Sequence, residues 1–79
     1  MDYVVYILYS ANSDKYYVGH TRDLNTRIAQ HNIRKNLGSN DWKLVYKEHF
    51  LSRSEAMKRE KEIKGKKRRV YIESLITPV

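Results

Sequence analysis

The sequence predicts a small α+β domain in which a three-stranded antiparallel sheet is flanked by helices. Three observations support this class: an aromatic and β-branched pair of segments joined by a polar turn, a later alternating segment, and helical patterns between and after them. The chain has 79 residues, the size of one domain, and we expect a single unit over residues 1–79. A chain this short buries about 60% of its unfolded surface, so its core is small.

The strands are predicted from residue type and alternation. Residues 3–9 are β-branched or aromatic without a breaker, so we expect a strand that is buried on both faces. A polar turn at residues 10–14 leads to a second strand at residues 16–20, and this short connection predicts an antiparallel hairpin. After a loop at residues 36–41, residues 42–47 alternate well enough to form the third strand.

The first helix follows the second strand directly. Thr21 or Asp23 can cap it, and it is predicted to run to about residue 33. The spacing puts Arg27 and His31 on the same stripe as the apolar side chains of this helix. A helix that only packs against a sheet has no need of a guanidinium and an imidazole there, so both are candidate functional residues.

The second helix begins at a capping-box pattern, residues 52–55, and is predicted to end at Lys64 with Gly65 as its C′ residue. Glu60 lies on the apolar face of this helix, where burying a carboxylate is costly unless it is paired or binds a metal. The apolar face consists of Ala56, Met57 and Ile63. A third, basic helix is expected over residues 66–76.

The charge of the chain is concentrated near its C-terminal end. Sixteen Lys and Arg oppose nine Asp and Glu, which gives a net charge of +7 and a pI near 9.8. Residues 53–69 hold nine basic and three acidic side chains, a surplus of six of those seven charges. Such a band attracts polyanions, and the simpler alternative is a solvated helix face, which is what most runs of charge are. We predict nucleic-acid contacts from His20, Lys64, Lys66, Lys67, Arg68 and Arg69.

Composition also bears on the compartment. The chain has no cysteine, so it has no disulfide or thiolate metal site, and this favours a reducing environment. No segment approaches the roughly 18 apolar residues that cross a bilayer. The apolar run at residues 3–9 is too short, and lacks the basic flank, for a signal peptide. We therefore expect a cytoplasmic protein with no membrane partner.

Arg27, His31 and Glu60 are each explained singly by a snorkelling or salt-bridged side chain at the edge of a core. Together they suggest a site, because arginine stabilises phosphoryl charge, histidine moves protons and a carboxylate holds a hard divalent ion. These are the parts of a phosphodiester hydrolase. Two of the seven tyrosines, Tyr6 and Tyr17, lie on the paired strands, where aromatic packing is the simpler explanation.

Two short motifs resemble a known family. Val4-Val5-Tyr6 and Tyr17-Val18-Gly19 are similar to the half-motifs that name the GIY-YIG nucleases, and residues 17–32 resemble that family's Y-[IV]-G-x-T-x-[DN]-L-x-x-R-[IL]-x-x-H-N segment. Residues 55–64 resemble the short stand-alone branch called excinuclease-subunit-C-like or YhbQ-like. The resemblance covers essentially the whole chain. It implies a three-stranded sheet, endonuclease activity on DNA or RNA, and one divalent metal ion, Mg²⁺ or Mn²⁺.

The resemblance also implies roles for individual residues. Tyr6 matches the tyrosine that acts as general base or orients water, and Tyr17 matches the one that positions water or the scissile phosphate. Arg27 matches the arginine that stabilises the transition-state charge. His31 matches a position that assists proton transfer, and Glu60 matches the metal-binding glutamate. We expect Glu60 to point toward the sheet that bears both tyrosines, with Arg27 and His31 facing it from the first helix.

The chain differs from the family pattern in three places. Val4-Val5 replaces Gly-Ile, His20 replaces a lysine of the repair-endonuclease branch, and no asparagine follows Asn40, where many larger members have one. The sequence predicts a metal-dependent endonuclease that acts on nucleic acid, with DNA ahead of RNA. Two alternatives stay open: a non-catalytic DNA- or RNA-binding module, and a subunit that requires a protein partner or a second copy of itself.

Overall fold

The computed structural model describes residues 2–34, 38–66 and 69–76. In chain order, the elements of these residues are β1 (Tyr3–Ser10), β2 (Lys15–Thr21), α1 (Leu24–Ile33), β3 (Lys43–Phe50), α2 (Arg53–Lys66) and α3 (Arg69–Ile76). The strands form one antiparallel sheet in the order β2–β1–β3. The α+β class and the three-stranded antiparallel sheet predicted from the sequence are confirmed. None of the helices in the described ranges is long and apolar enough to cross a bilayer.

The central strand, β1, is buried on both faces, as its unbroken apolar sequence predicts. Val5 and Ile7 point to one face of the sheet and Tyr6 and Leu8 to the other, and none of these four side chains is more than 2% exposed. The pairing with β3 shifts register between Ile7 and Leu8. A strand that is paired along both edges and covered on both faces is a rigid support for the side chains it carries.

The helices divide between the two faces of the sheet. Ala56 and Ile63 of α2, together with apolar side chains of α3, cover the face that carries Val5 and Ile7. Leu24 and Ile28 of α1 pack on the opposite face, which we call the tyrosine face. Its side chains are Val4, Tyr6, Leu8, Tyr17 and Trp42. The first helix and the second helix therefore lie on opposite sides of the sheet.

The turn into α1 is capped by Asp23, one of the two predicted caps. Its backbone is extended (φ −131°), and its carboxylate accepts hydrogen bonds from the Thr26 amide at 3.2 Å and the Thr26 hydroxyl at 2.7 Å. Thr21 supports the same turn from behind, since its hydroxyl oxygen accepts the Asp23 amide at 3.1 Å. The cap fixes the direction in which α1 leaves the end of β2.

The start of α2 shows one of the two bonds of the predicted capping box, since the Ser52 hydroxyl accepts the Glu55 amide at 3.3 Å. The end of α2 differs from the prediction. The prediction that Gly65 is the C′ residue is wrong: α2 continues through Gly65 to Lys66. Gly65 lies in an exposed final turn, where no atom lies within 4 Å of an added methyl group. Including it in α2 therefore costs only the intrinsic helix penalty of glycine. Lys66 accordingly belongs to α2, and α3 begins at Arg69.

Arg69 fastens α3 to the turn between β1 and β2. Its guanidinium donates to the Asp14 carboxylate at 2.6 Å and to Glu73 at 3.2 Å, and it lies 5.2 Å from the centre of the Tyr16 ring. Asp14 has a positive φ of 52° and also accepts the Tyr9 hydroxyl at 2.6 Å. These bonds join segments 55 residues apart, and they hold the strained turn in place.

Candidate active site

Three rings meet on the tyrosine face. The Tyr6 hydroxyl lies 3.2 Å from Nε2 of His31, and both side chains are buried. The Tyr17 ring stacks beside Tyr6 with 6.3 Å between centroids, and it meets the edge of the His31 ring at 4.5 Å. The structure thus brings together three of the residues that the sequence singled out, although His31 lies 25 residues beyond Tyr6.

Strand pairing and the first helix position these rings. Tyr6 pairs with Gly19 of β2, which has no side chain to occupy the space over which the phenol extends. Leu24 and Ile28 seat α1 against the tyrosine face. His31 follows Ile28 by three residues, so it projects from the same side of the helix and reaches the Tyr6 hydroxyl. The geometry follows from the short β2–α1 connection and the spacing along one helix face.

Asn32 supports the site, although its sequence pattern gave it no role of its own. Its side chain accepts the Trp42 amide at 2.7 Å and donates to the Trp42 carbonyl at 3.1 Å, which ties the end of α1 to the start of β3. The Trp42 ring then lies 6.3 Å from Tyr17 and 6.5 Å from His31. The one sequence signal of this supporting role is that Asn32 directly follows His31 in the motif.

Burial sets the protonation of the phenol and the imidazole. Burial raises the pKa of Tyr6 well above its usual value; the neighbouring Tyr17 and the Glu60 charge add to this, and Arg27 opposes it. Burial, with the Arg27 charge, lowers the pKa of His31 below 6.5. At neutral pH, His31 is therefore uncharged and the phenol keeps its proton. In the tautomer with its proton on Nδ1, His31 accepts the hydrogen bond from Tyr6.

Arg27 is exposed on α1, one helical turn before His31. Its charge nevertheless acts on both members of the hydrogen-bonded pair, since it opposes the rise in the Tyr6 pKa and lowers the His31 pKa. The arginine therefore lies at the mouth of the site, with its guanidinium open to a ligand. Within the described residues it forms no ion pair with a carboxylate.

Glu60 approaches the site from the other side of the sheet. Helices α1 and α2 cover opposite faces, yet the charges of Arg27 and Glu60 both act on Tyr6. That Arg27 and His31 face Glu60 from the first helix stays a prediction. Glu60 bonds to His20 on the edge strand β2 and to Lys64 Nζ at 2.6 Å. Lys64 Nζ in turn lies 6.0 Å from the centre of the Tyr17 ring. The acidic part of the site therefore reaches the tyrosine face around the edge of β2.

The surroundings of Glu60 are compatible with a hydrated divalent cation. Its side chain is 18% exposed, and although burial raises the pKa of Glu60, the hydrogen bonds from Lys64 and His20 outweigh this and keep the pKa below its usual value. The carboxylate is therefore ionised. No group of three or more histidine and acidic side chains converges in the described part of the chain. One carboxylate suffices for Mg²⁺, which keeps several waters and completes its shell with substrate phosphate.

The residues predicted to contact nucleic acid are placed differently from one another. His20 and Lys64 both bond to Glu60, so they belong to the acidic part of the site. Arg69 makes the ion pairs that hold α3, and Lys66 is exposed at the end of α2. The other two, Lys67 and Arg68, lie outside the described residues. The contact between His20 and Glu60 spans 40 residues of sequence, and no local pattern could have indicated it.

Comparison with known proteins agrees with this geometry. The family model described as the GIY-YIG catalytic domain matches residues 2–73. The chain belongs to the GIY-YIG family. The resemblance that the half-motifs indicated is confirmed, and the Tyr6, Tyr17, Arg27 and His31 cluster lies in the matched region of this GIY-YIG domain.

Similar proteins of this GIY-YIG type are named UPF0213 proteins. One from Staphylococcus epidermidis is 39% identical over 64 residues, which cover 76% of this chain and 77% of the relative. One from Staphylococcus haemolyticus is 42% identical over the same shares of both chains. The solution NMR structure of a UPF0213 protein from Bacillus halodurans superposes with a TM-score of 0.61 at 30% identity, and the match covers 99% of this chain and 89% of that one. Size and fold are thus shared with short stand-alone members.

Proposed function

We propose that this GIY-YIG domain, a single unit over residues 1–79, is an endonuclease that hydrolyses phosphodiester bonds of DNA with one Mg²⁺ or Mn²⁺ ion. The observation that carries the proposal is the buried hydrogen bond between Tyr6 and an uncharged His31, with the open guanidinium of Arg27 beside it. Membership of a family whose model is described as a catalytic domain supports the same conclusion.

Hydrolysis requires a proton to leave the attacking water as its oxygen bonds to phosphorus. Tyr6 does not act as a pre-formed phenolate, because its raised pKa keeps the hydroxyl protonated before the reaction. We therefore assign Tyr6 to a relay: its oxygen takes the proton from water while its own proton passes to Nε2 of His31, 3.2 Å away. The new oxygen–phosphorus bond forms, the bond to the leaving oxygen breaks, and His31 holds the proton that water lost.

The remaining residues act on the charge of the phosphate. Arg27 presents five N–H donors at the mouth of the site, where they can contact the phosphoryl oxygens as negative charge builds up. The Tyr17 ring, in contact with His31, forms the wall that positions the phosphate against the phenol. Glu60 would hold the divalent ion, which when bound offsets the phosphate charge and stabilises the leaving oxygen. Lys64 and His20 hold the Glu60 carboxylate in place.

One observation favours a second candidate, a non-catalytic nucleic-acid-binding module. Both carboxylate oxygens of Glu60 already accept hydrogen bonds, one from His20 and one from Lys64. In a binding module, Glu60 would serve only to accept these two hydrogen bonds and would hold no metal. In the nuclease, Glu60 would hold the cation on its remaining lone pairs or in place of the Lys64 ammonium, since a carboxylate offers about four lone-pair sites.

A cleavage assay separates the two candidates. The purified domain is incubated with duplex, branched and single-stranded DNA and with RNA, in Mn²⁺ and in a chelator. We expect DNA cleavage that requires the metal and is lost in Arg27→Ala. Binding without cleavage of any substrate would contradict the nuclease proposal and support the binding module. Cleavage that appears only when a second protein is added would indicate a partner-dependent subunit.

A further inference from the structure

A cleft lined by arginines lies next to the active site, where β2, α1 and α2 meet. Its volume is about 320 Å³, and the guanidinium-bearing residues around it are Arg22, Arg27 and Arg53. His20 also lines it, so the cleft borders the acidic part of the site as well. The volume is at the lower end of the range for small-ligand sites, and three positive charges make an anion the matching occupant.

The carboxylate that shares the cleft does not cancel this charge. Asp23 lines it too, but its oxygens accept the amide and the hydroxyl of Thr26 as the cap of α1. Those bonds lower the pKa of Asp23, so the group is ionised and oriented toward the helix. One carboxylate against three guanidiniums leaves two net positive charges in the cleft.

Two arginines of this cleft, Arg27 and Arg53, differ from those that hold the fold together. Arg59 is paired with Glu48 and Glu62, and Arg69 with acidic side chains of the β1–β2 turn and α3. Among the described residues, neither Arg27 nor Arg53 forms an ion pair with a carboxylate. A guanidinium that is left without a carboxylate beside other cations is suited to bidentate hydrogen bonding with phosphate.

The distance from the cleft to the reacting groups matches a nucleic-acid backbone. Arg53 precedes Glu60 by seven residues on α2, which is about 10 Å along the helix axis. A duplex strand advances 3.4 Å per nucleotide, so this corresponds to about three nucleotides. Arg27 belongs both to the cleft and to the surroundings of Tyr6, so a strand that occupies the cleft continues directly into the site.

We propose that this cleft binds a backbone phosphate of the nucleic-acid substrate, about three nucleotides from the bond that is cut, through Arg22 and Arg53. The Tyr3 ring supports Arg22, whose guanidinium carbon lies 5.7 Å from the ring centroid. The inference rests on the proposed function, because it takes the nuclease substrate as the ligand. It places the backbone-binding surface at the N-terminal ends of α1 and α2, and of the basic band at residues 53–69 it uses only Arg53.

The test measures binding of a labelled duplex DNA by fluorescence anisotropy in a chelator, so that it reports on contacts and not on cleavage. Arg22→Ala and Arg53→Ala are each expected to weaken binding by about tenfold or more, because each removes charge-assisted hydrogen bonds to a phosphate. Each should also lower the slope of log affinity against log salt by about 0.9. Arg53→Lys should keep the slope, because the charge remains.

Arg34→Ala is the matched control. It removes one exposed guanidinium at the opposite end of α1, away from the cleft, and should leave affinity nearly parental. Thermal unfolding of every variant checks that the fold is intact. Equal losses in Arg34→Ala and Arg53→Ala, or parental binding by both cleft variants, would overturn the inference while the nuclease activity stands. A parental protein that neither binds nor cleaves DNA would instead overturn the proposed function.

Discussion

The hydroxyl of Tyr6 lies directly over Gly19, its partner on β2: a Cβ at Gly19 would sit 2.7 Å from the hydroxyl oxygen and 2.9 Å from the ring carbon that bears it. Contacts below 3.0 Å are not tolerated, so Gly19→Ala must displace the phenol. We expect cleavage to fall about 100-fold, because misplacing a catalytic group by about 1 Å has that effect. Rates under saturating metal and the melting temperature are measured together.

Gly65→Ala is the control for this substitution. It adds the same methyl group where no atom lies within 4 Å, inside the last turn of α2. Cleavage should stay parental, and unfolding should become harder by about 0.5–1 kcal/mol. Parental cleavage by Gly19→Ala would show that the position of the Tyr6 hydroxyl does not limit the reaction.

Removing the phenol hydroxyl tests the proton relay. Tyr6→Phe should lower cleavage by about 100-fold or more while it changes stability by only about 1 kcal/mol, the value of one hydrogen bond. Tyr9→Phe is matched to it: it removes a hydroxyl from the same strand, one that bonds to Asp14 and not to the site. Single-turnover rates of both variants are compared. If the two lose activity equally, the loss does not arise from the relay.

His31 should make both stability and activity depend on pH. Its pKa is lowered below 6.5 by burial and by Arg27, so between about 6.5 and the lowered value the unfolded chain binds a proton that the folded chain refuses. The free energy of unfolding should therefore fall as the pH drops through this window, by up to about 1.4 kcal/mol per pH unit, and His31 should add no slope above it. Cleavage should fall with it, since protonated Nε2 accepts nothing from Tyr6.

The measurement compares melting temperatures of the parental protein and His31→Asn across about pH 5 to 8. Subtracting the two curves removes the contributions of the other histidines. A difference that is constant with pH would contradict the assignment of an uncharged, buried His31.

Glu60→Gln tests the metal site. It keeps the size of the side chain but removes its charge, so metal-dependent cleavage should be lost by at least about 100-fold and Mn²⁺ binding by calorimetry should disappear. Glu62→Gln is the control, because it removes a carboxylate from the same helix that pairs with Arg59 outside the site. Metal-dependent cleavage that survives in Glu60→Gln would refute the assignment of Glu60 as the ligand.

Arg59 should matter for folding and not for chemistry. Its guanidinium donates to Glu48 at 3.0–3.2 Å, to Glu62, and to the Tyr71 hydroxyl at 3.2 Å, which joins β3, α2 and α3. Arg59→Ala leaves the partly buried Glu48 carboxylate without this partner, and we expect a loss of about 1–3 kcal/mol in urea unfolding. Cleavage by the folded fraction should stay within about twofold of parental. A stable but inactive Arg59→Ala would place this residue in the active site.

The parts of this protein that sequence could predict are those with local causes. The aromatic and β-branched run of β1 and the Asp23 cap act over a few residues, so their patterns are readable. The pairing of Tyr6 with His31 depends on how α1 packs on the sheet; the family resemblance assigns both to one site but does not predict the bond between them. The prediction that α2 ends before Gly65 is wrong because a helix stabilised by its other residues tolerates a glycine in an exposed final turn.

Contacts across long stretches of chain could not be predicted in this way. His20 meets Glu60 over a separation of 40 residues and Arg69 meets Asp14 over 55, and both depend on the path of α2 and α3 around the sheet. The charge surplus of residues 53–69 likewise predicts a single basic surface. The structure assigns Arg59 and Arg69 to ion pairs within the fold, so a surplus of charge in sequence is not a map of the free charge on the surface.

The central position of β1 has a consequence for the order in which the molecule opens. Its amide protons are paired with both neighbouring strands, so they should exchange with solvent only when the whole domain unfolds. The first turn of α2, which carries Arg53, is a helix terminus that frays at a much lower energy. Tyr6 therefore lies in the segment whose amide protons should exchange most slowly, and Arg53 lies in one whose amide protons should exchange fast. Under the two proposals above, we therefore expect the Tyr6 hydroxyl to keep its position while the Arg53 end of α2 adjusts to the phosphate it binds.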